Sequence, residues 1–124
     1  MKRLISYSRG RLSAFGYAFR GAYDLLRNHA PSRIHMLAFV GMVAVSWGLD
    51  FPLWKWVAVL LCSGLVLAAE ALNTAVEYVV DLVSPEYHIL AGKAKDVAAG
   101  AVLFTAVFSG LIAILLVTDA IWGL

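Results

Sequence analysis

Charge is scarce in this chain: of 124 residues, 10 are Lys or Arg and 8 are Asp or Glu, 15% in all. Water-soluble domains of this size carry charge at roughly a quarter or more of their positions. With 62% of residues hydrophobic and a mean hydropathy of +0.83, too much apolar surface would be left uncovered, which excludes an ordinary soluble domain. There is one cysteine, Cys62, set in an apolar run, so neither an intrachain disulfide nor a thiolate metal cluster is available. Glycine-rich phosphate loops of the GxxxxGK[ST] or kinase type are missing, and no strand could carry one. Any nucleotide site must be helical and shallow. The length excludes a Rossmann domain, a barrel enzyme and a two-domain cleft. The basic opening MKRLISYSRGRLSAF lacks a long apolar core followed by a small-residue cleavage site, so it is read as a mature N-terminus without a signal peptide. Repeats, low-complexity tracts and linkers are also lacking.

What is present is a membrane pattern. Residues 97–118, VAAGAVLFTAVFSGLIAILLVT, form an uncharged run of 22 positions, enough at 1.5 Å per residue to cross a hydrocarbon layer of roughly 30 Å. Residues 56–69 are apolar but too short alone, and they borrow length from EALNTAVEYVVDLV. Residues 34–49 make a further span if the helix starts at Pro31. Asp50, followed by Pro52, is expected to cap the next helix, and Ser84-Pro85 repeats that start signal. In the N-terminal segment Phe15, Phe19, Ala22 and Leu26 share one side of a helix, and Arg20, Asp24 and Arg27 another. The expected fold is therefore an all-α integral membrane protein in a single domain, 1–124. It has transmembrane helices at about 31–49, 51–82 and 86–119 and an N-terminal amphipathic interfacial helix at about 5–28.

Seven of the ten basic residues, Lys2 to Arg33, precede the first of these spans, against one acid, Asp24. The positive-inside rule puts the N-terminus and the 82–96 connection in the cytoplasm and Leu124 outside. Trp47, Trp54, Trp56 and Trp122 then fall at the outer rim, as an aromatic belt would.

Glu70, Asn73, Glu77 and Asp81 are spaced by three, four and four, and fall within roughly an 80° sector of one helix face. An acid at mid-membrane depth is unfavourable by about 3 kcal/mol on insertion scales. Such a stripe either pairs within a bundle, specifying helix packing, or holds a cation against anionic ligands. At the same level stand His88, Lys93, Lys95 and Asp96. Carboxylates able to hold Mg²⁺ beside lysines able to neutralise phosphate are what phosphoryl transfer needs. Read singly, the lysines are also what snorkelling or topology would place there, and His88 what an interface would.

The segments EALNTAVEYVVD and PEYHILAGKAKDVAAGAV closely resemble the signature of the prokaryotic diacylglycerol kinase family, which includes the undecaprenol kinases. The resemblance keeps Glu70, Asn73, Glu77, Asp81, Glu86, His88, Gly92, Lys95 and Asp96 without a gap and extends weakly through the whole chain. It implies a small homotrimeric enzyme of the bacterial cytoplasmic membrane, with composite active sites between subunits at the cytoplasmic face. Glu70 would be the general base toward the lipid hydroxyl and Glu77 a ligand of the Mg²⁺ that accompanies ATP. Asn73 would support that constellation; Lys95 and Asp96 would contact phosphates and ribose, with Glu86 and His88 beside the nucleotide, and Asp81 and Gly92 would be among the residues that bind it. Tyr17 would pack near the adenine.

Two positions depart from the family pattern. His29 stands where a second metal-binding glutamate is usual; it would be the second metal ligand beside Glu77, though a poorer one for Mg²⁺ than a carboxylate. The basic residue expected near position 10 is displaced, with Gly10 between Arg9 and Arg11, so either arginine could serve. The implied function is ATP- and Mg²⁺-dependent phosphorylation of a membrane lipid alcohol, diacylglycerol to phosphatidic acid first, with undecaprenol the alternative acceptor. A catalytically weakened trimer and a small transporter are the other classes. Nucleic acid is not an expected partner.

Overall fold

A computed structural model describes the backbone of residues 2–123 and the side chains of residues 13–123. The chain is all-α, with α1 at Lys2–Asn28, α2 at Ala30–Gly48, α3 at Leu53–Val83 and α4 at Ile89–Trp122. Helices α3 and α4 form an antiparallel hairpin, α2 lies antiparallel along α3, and α1 packs against α2 and the C-terminal part of α3.

The expectation of three transmembrane helices plus a separate amphipathic helix is corrected by this arrangement. Among the described residues, two helices, α3 and α4, are long and apolar enough to cross a membrane. Helix α2 has 19 residues, but Pro31, Ser32, Arg33 and His35 occupy its start. Its uninterrupted apolar run covers residues 36–45, about half of the roughly 20 positions that a spanning helix needs. Nor does α1 stand apart. Only His29, in extended conformation at φ −115°, separates it from α2, and Pro31 explains the break by removing a donor and crowding the preceding turn.

The two tight connections are built differently from their sequence signals. Asp50 does not cap α3. It adopts φ +48°, a left-handed conformation that aspartate tolerates, and so ends α2 while Phe51 N–H donates to the Ser46 carbonyl (3.0 Å). Pro52 is the N-cap residue of α3. Ser84 likewise does not start α4; it closes α3. His88 caps α4 instead, its Nδ1 accepting from Leu90 N–H (3.2 Å).

The core is small: Phe51, Val59 and Leu116 are buried, with Met42, Trp56 and Val117 packed around them. Large apolar side chains such as Leu61, Leu65, Leu103, Phe104 and Leu115 stand exposed along α3 and α4. Of the most hydrophobic window, 22% of residues are buried in α3 and 6% in α4, so their apolar side chains are largely uncovered by the chain itself, unlike those of core helices in a soluble protein. Hydroxyls turn back onto the backbone of their own helices: Thr105 of α4 donates to Val102 O (2.9 Å) and Ser46 of α2 to Met42 O (2.7 Å).

Candidate functional site

The polar face of α3 has three differently furnished levels. At the deepest, Glu70 is buried, with 4% of its surface exposed. His35 Nε2 lies 3.2 Å from Glu70 Oε1 and Ser32 Oγ 3.5 Å from Oε2, both reaching across from α2. One turn on, the Asn73 amide donates to Glu77 Oε1 (2.9 Å). That leaves Asn73 Oδ1 buried without a hydrogen-bond partner, an exception among buried polar atoms. Beyond these, Lys95 Nζ donates to Asp81 Oδ1 at 2.5 Å.

Asp81, Glu86, His88, Gly92 and Lys95, five of the residues singled out by sequence, line one cavity of about 210 Å³ where α3 and α4 join. Lys95 spends one of its donors on Asp81 and has two more to offer an anion. Glu70 does not reach this cavity. It lies eleven positions from Asp81, about 16 Å along the axis, and its contacts come from α2 while that of Asp81 comes from α4. Asp96 is exposed on α4. Lys93 and Asn73 instead border an apolar groove of about 680 Å³ with Leu72, Val76, Leu90 and Ala98.

The N-terminal helix contributes a separate network. Tyr78 on α3 donates to Asp24 Oδ2 (2.9 Å), Asn28 donates to Asp24 Oδ1 (2.6 Å), and His29 Nε2 pairs with the same Tyr78 hydroxyl (2.8 Å). The Tyr78 hydrogen bond, helped by Asn28 and the proximity of His29, holds the Asp24 carboxyl below its usual range. His29, expected as a metal ligand, is thus engaged by Tyr78 and packs edge-on against its ring. Tyr17 is exposed on α1 beneath the Arg20 guanidinium, 5.7 Å from its ring centre, and does not line the cavity. The side chains of Arg9 and Arg11 lie outside the described residues.

Among the described residues no three His, Cys, Asp or Glu side chains gather as a metal site. Mg²⁺, however, is usually held by one or two protein oxygens together with substrate phosphates. Glu77 and the unpartnered Asn73 Oδ1 are hard oxygen donors one turn apart, so this donor set fits such a role.

Sequence reasoning missed Ser32 and His35. Reflecting position 70 through the turn at 49–52 puts it level with residue 31, so a search of α2 for polar groups within one turn of that position would have found both.

A helical hairpin clad in apolar side chains, with a row of acids and amides leading from a buried carboxylate toward a lysine-lined cavity, defines a small membrane-associated protein with an anion-receptive end. The prokaryotic diacylglycerol kinase family matches residues 16–117 of the chain. An undecaprenol kinase of Bacillus subtilis (strain 168) is 34% identical over 103 residues, 83% of this chain and 84% of the relative. A diacylglycerol kinase of Escherichia coli (strain K12) is 36% identical over 92 residues, 74% and 75% of the two chains. A diacylglycerol kinase of Synechocystis is 40% identical over 97 residues, 77% of this chain and 55% of the relative. The chain belongs to the prokaryotic diacylglycerol kinase family. Membership implies a phosphotransferase of the lipid-kinase type.

Proposed function

We propose that the protein transfers the γ-phosphoryl group of ATP to the hydroxyl of diacylglycerol, forming phosphatidic acid. The observation that carries this reading is the graded seam on α3: a buried carboxylate, then an amide and carboxylate with a spare oxygen, then the lysine-lined cavity. The lipid hydroxyl gives its proton to Glu70 as its oxygen attacks the γ-phosphorus, and ADP leaves with the electron pair of the broken P–O bond. Lys95 offsets the charge on the phosphoryl oxygens, and His88, Glu86, Gly92 and Asp96 border the nucleotide. Glu77 and Asn73 Oδ1 would hold Mg²⁺, which when bound neutralises phosphate charge.

Glu70 and Lys95 are separated within one chain, so each site is completed by a neighbouring copy, with three copies in the assembly. The 84–88 connection, followed by Lys93 and Lys95, faces the cytoplasm, where ATP is, in the bacterial inner membrane; the end bearing Trp54 and Trp122 faces outward. The Bacillus subtilis relative, an undecaprenol kinase matched over 83% of this chain, favours a polyprenol acceptor as the second reading.

The test is transfer of labelled phosphate from ATP to diacylglycerol and to undecaprenol, side by side in mixed micelles with and without Mg²⁺. Mg²⁺-dependent labelling of diacylglycerol, faster than of undecaprenol, is expected. The reverse order selects the polyprenol, and no transfer to either marks an inactive homologue. Changing His29→Glu in the same assay reads whether a carboxylate there lowers the Mg²⁺ requirement.

A further inference from the structure

Glu70 is met from α2 by two donors one turn apart, an i, i+3 pair on a single helix face. The two contacts are unequal. His35 Nε2 at 3.2 Å is within ordinary N–H···O range of Oε1, whereas Ser32 Oγ at 3.5 Å is long for a hydroxyl donor to Oε2. The histidine side chain is 24% exposed and the glutamate 5%, so the contact is sheltered from competing water. His35 also borders a cavity of about 210 Å³. There α3 contributes Cys62, Ser63 and Val66 and α4 contributes Ala106, Ser109 and Gly110. None of these is charged, so Glu70 is the anion that the imidazole meets.

We propose that His35 is a positioning residue for the general base: its Nε2–H fixes one oxygen of Glu70, with Ser32 steadying the other, so that the carboxylate lone pair is aimed at the lipid hydroxyl. This rests on the lipid-kinase reading above. A glutamate has three side-chain torsions, and without a partner its carboxylate samples several rotamers. Misplacing a reacting group by about 1 Å costs on the order of 100-fold in rate. His35 touches neither substrate nor nucleotide in this scheme. Its removal therefore lowers kcat and leaves the KM for ATP alone.

The test compares His35→Leu, His35→Gln and Ser32→Ala with the wild type in mixed micelles, measuring kcat, the KM for ATP and melting temperature. We expect His35→Leu to lose about 100-fold in kcat at unchanged KM for ATP. His35→Gln, whose amide N–H can donate to the same oxygen, should recover most of that loss, and Ser32→Ala should lose less than His35→Leu. Equal impairment of the Leu and Gln variants, or a loss expressed in the KM for ATP, overturns the positioning role. If the Leu variant does not fold, His35→Asn replaces it, because its donor sits on a shorter stem. A kcat below that of the Gln variant then supports the role and an equal one overturns it. Wild-type turnover is measured first. A wild type that phosphorylates neither lipid overturns the kinase reading together with this role, whereas an active wild type matched by His35→Leu overturns this role alone.

Discussion

The two ends of the α3–α4 hairpin both hold charged groups, and they treat them in opposite ways. At the tryptophan-bearing end Lys55 is 3% exposed and fully occupied: its Nζ donates to Leu116 O (2.9 Å) and Asp119 Oδ2 (2.6 Å) and lies 4.9 Å from the centre of the Phe51 ring. At the other end Asn73 Oδ1 has no partner, and Lys95 and Asp81 are 37% and 64% exposed. A cation whose N–H donors are spent within its own fold clamps helices together. Polar atoms with capacity to spare can serve a ligand: Asn73 Oδ1 has no partner, and Glu70, with about four acceptor sites and two contacts from α2, keeps lone pairs for a proton.

The largest effect that could break this contrast is at Glu70. Changing Glu70→Gln keeps the side chain's size and its ability to meet Ser32 but removes the base, so lipid phosphorylation should fall by at least about 100-fold with the melting temperature little changed. Next is Lys55→Met. Lys55 is buried but its Asp119 partner is 35% exposed, so losing the charged hydrogen bonds costs about 2 kcal/mol, which should appear as a lower melting temperature in detergent while kcat, measured below the transition, stays at the wild-type value. Glu77→Gln should then raise the Mg²⁺ needed for half-maximal rate by about tenfold or more; an unchanged Mg²⁺ titration would remove Glu77 from the metal site.

The smallest effect concerns α1. The folded Asp24 carboxyl titrates below its unfolded value. Its contribution to docking α1 on Tyr78 is therefore present above about pH 4 and is lost as the pH falls through the lowered folded value. Protection of α1 amides, taken relative to the intrinsic exchange rate at each pH, should fall on acidification across that window. In Asp24→Asn that fall should be absent.

Much of the arrangement could be read from the residues alone, and the gaps have physical causes. Periodicity located the acid row, because Glu70, Asn73, Glu77 and Asp81 obey helical spacing whatever surrounds them. The number of spans could not be read the same way, since α2 has the length but carries Arg33 and His35 in its opening turns. Local signals also misassigned two caps: Asp50 and Ser84 are plausible helix starters by type, but backbone geometry made one a left-handed turn and the other the end of α3. Contacts across helices were hardest. Ser32 and His35 with Glu70, and Lys55 with Asp119, become visible only after the antiparallel registry is known. Reflection through the 84–88 connection then puts position 55 level with 117, between the carbonyl and the carboxylate it meets.

The central claim is that polar groups on α3 with hydrogen-bonding capacity to spare perform chemistry while the ion pair at the opposite end holds the fold. The most direct test is labelled phosphate transfer from ATP to lipid by Glu70→Gln and Lys55→Met at equal concentrations of folded protein, with melting temperature measured on the same samples. The account predicts a crossed result: Glu70→Gln melts like the wild type and transfers almost nothing, and Lys55→Met melts early and transfers at the wild-type rate. Full transfer by Glu70→Gln, or loss of transfer by folded Lys55→Met, would contradict it.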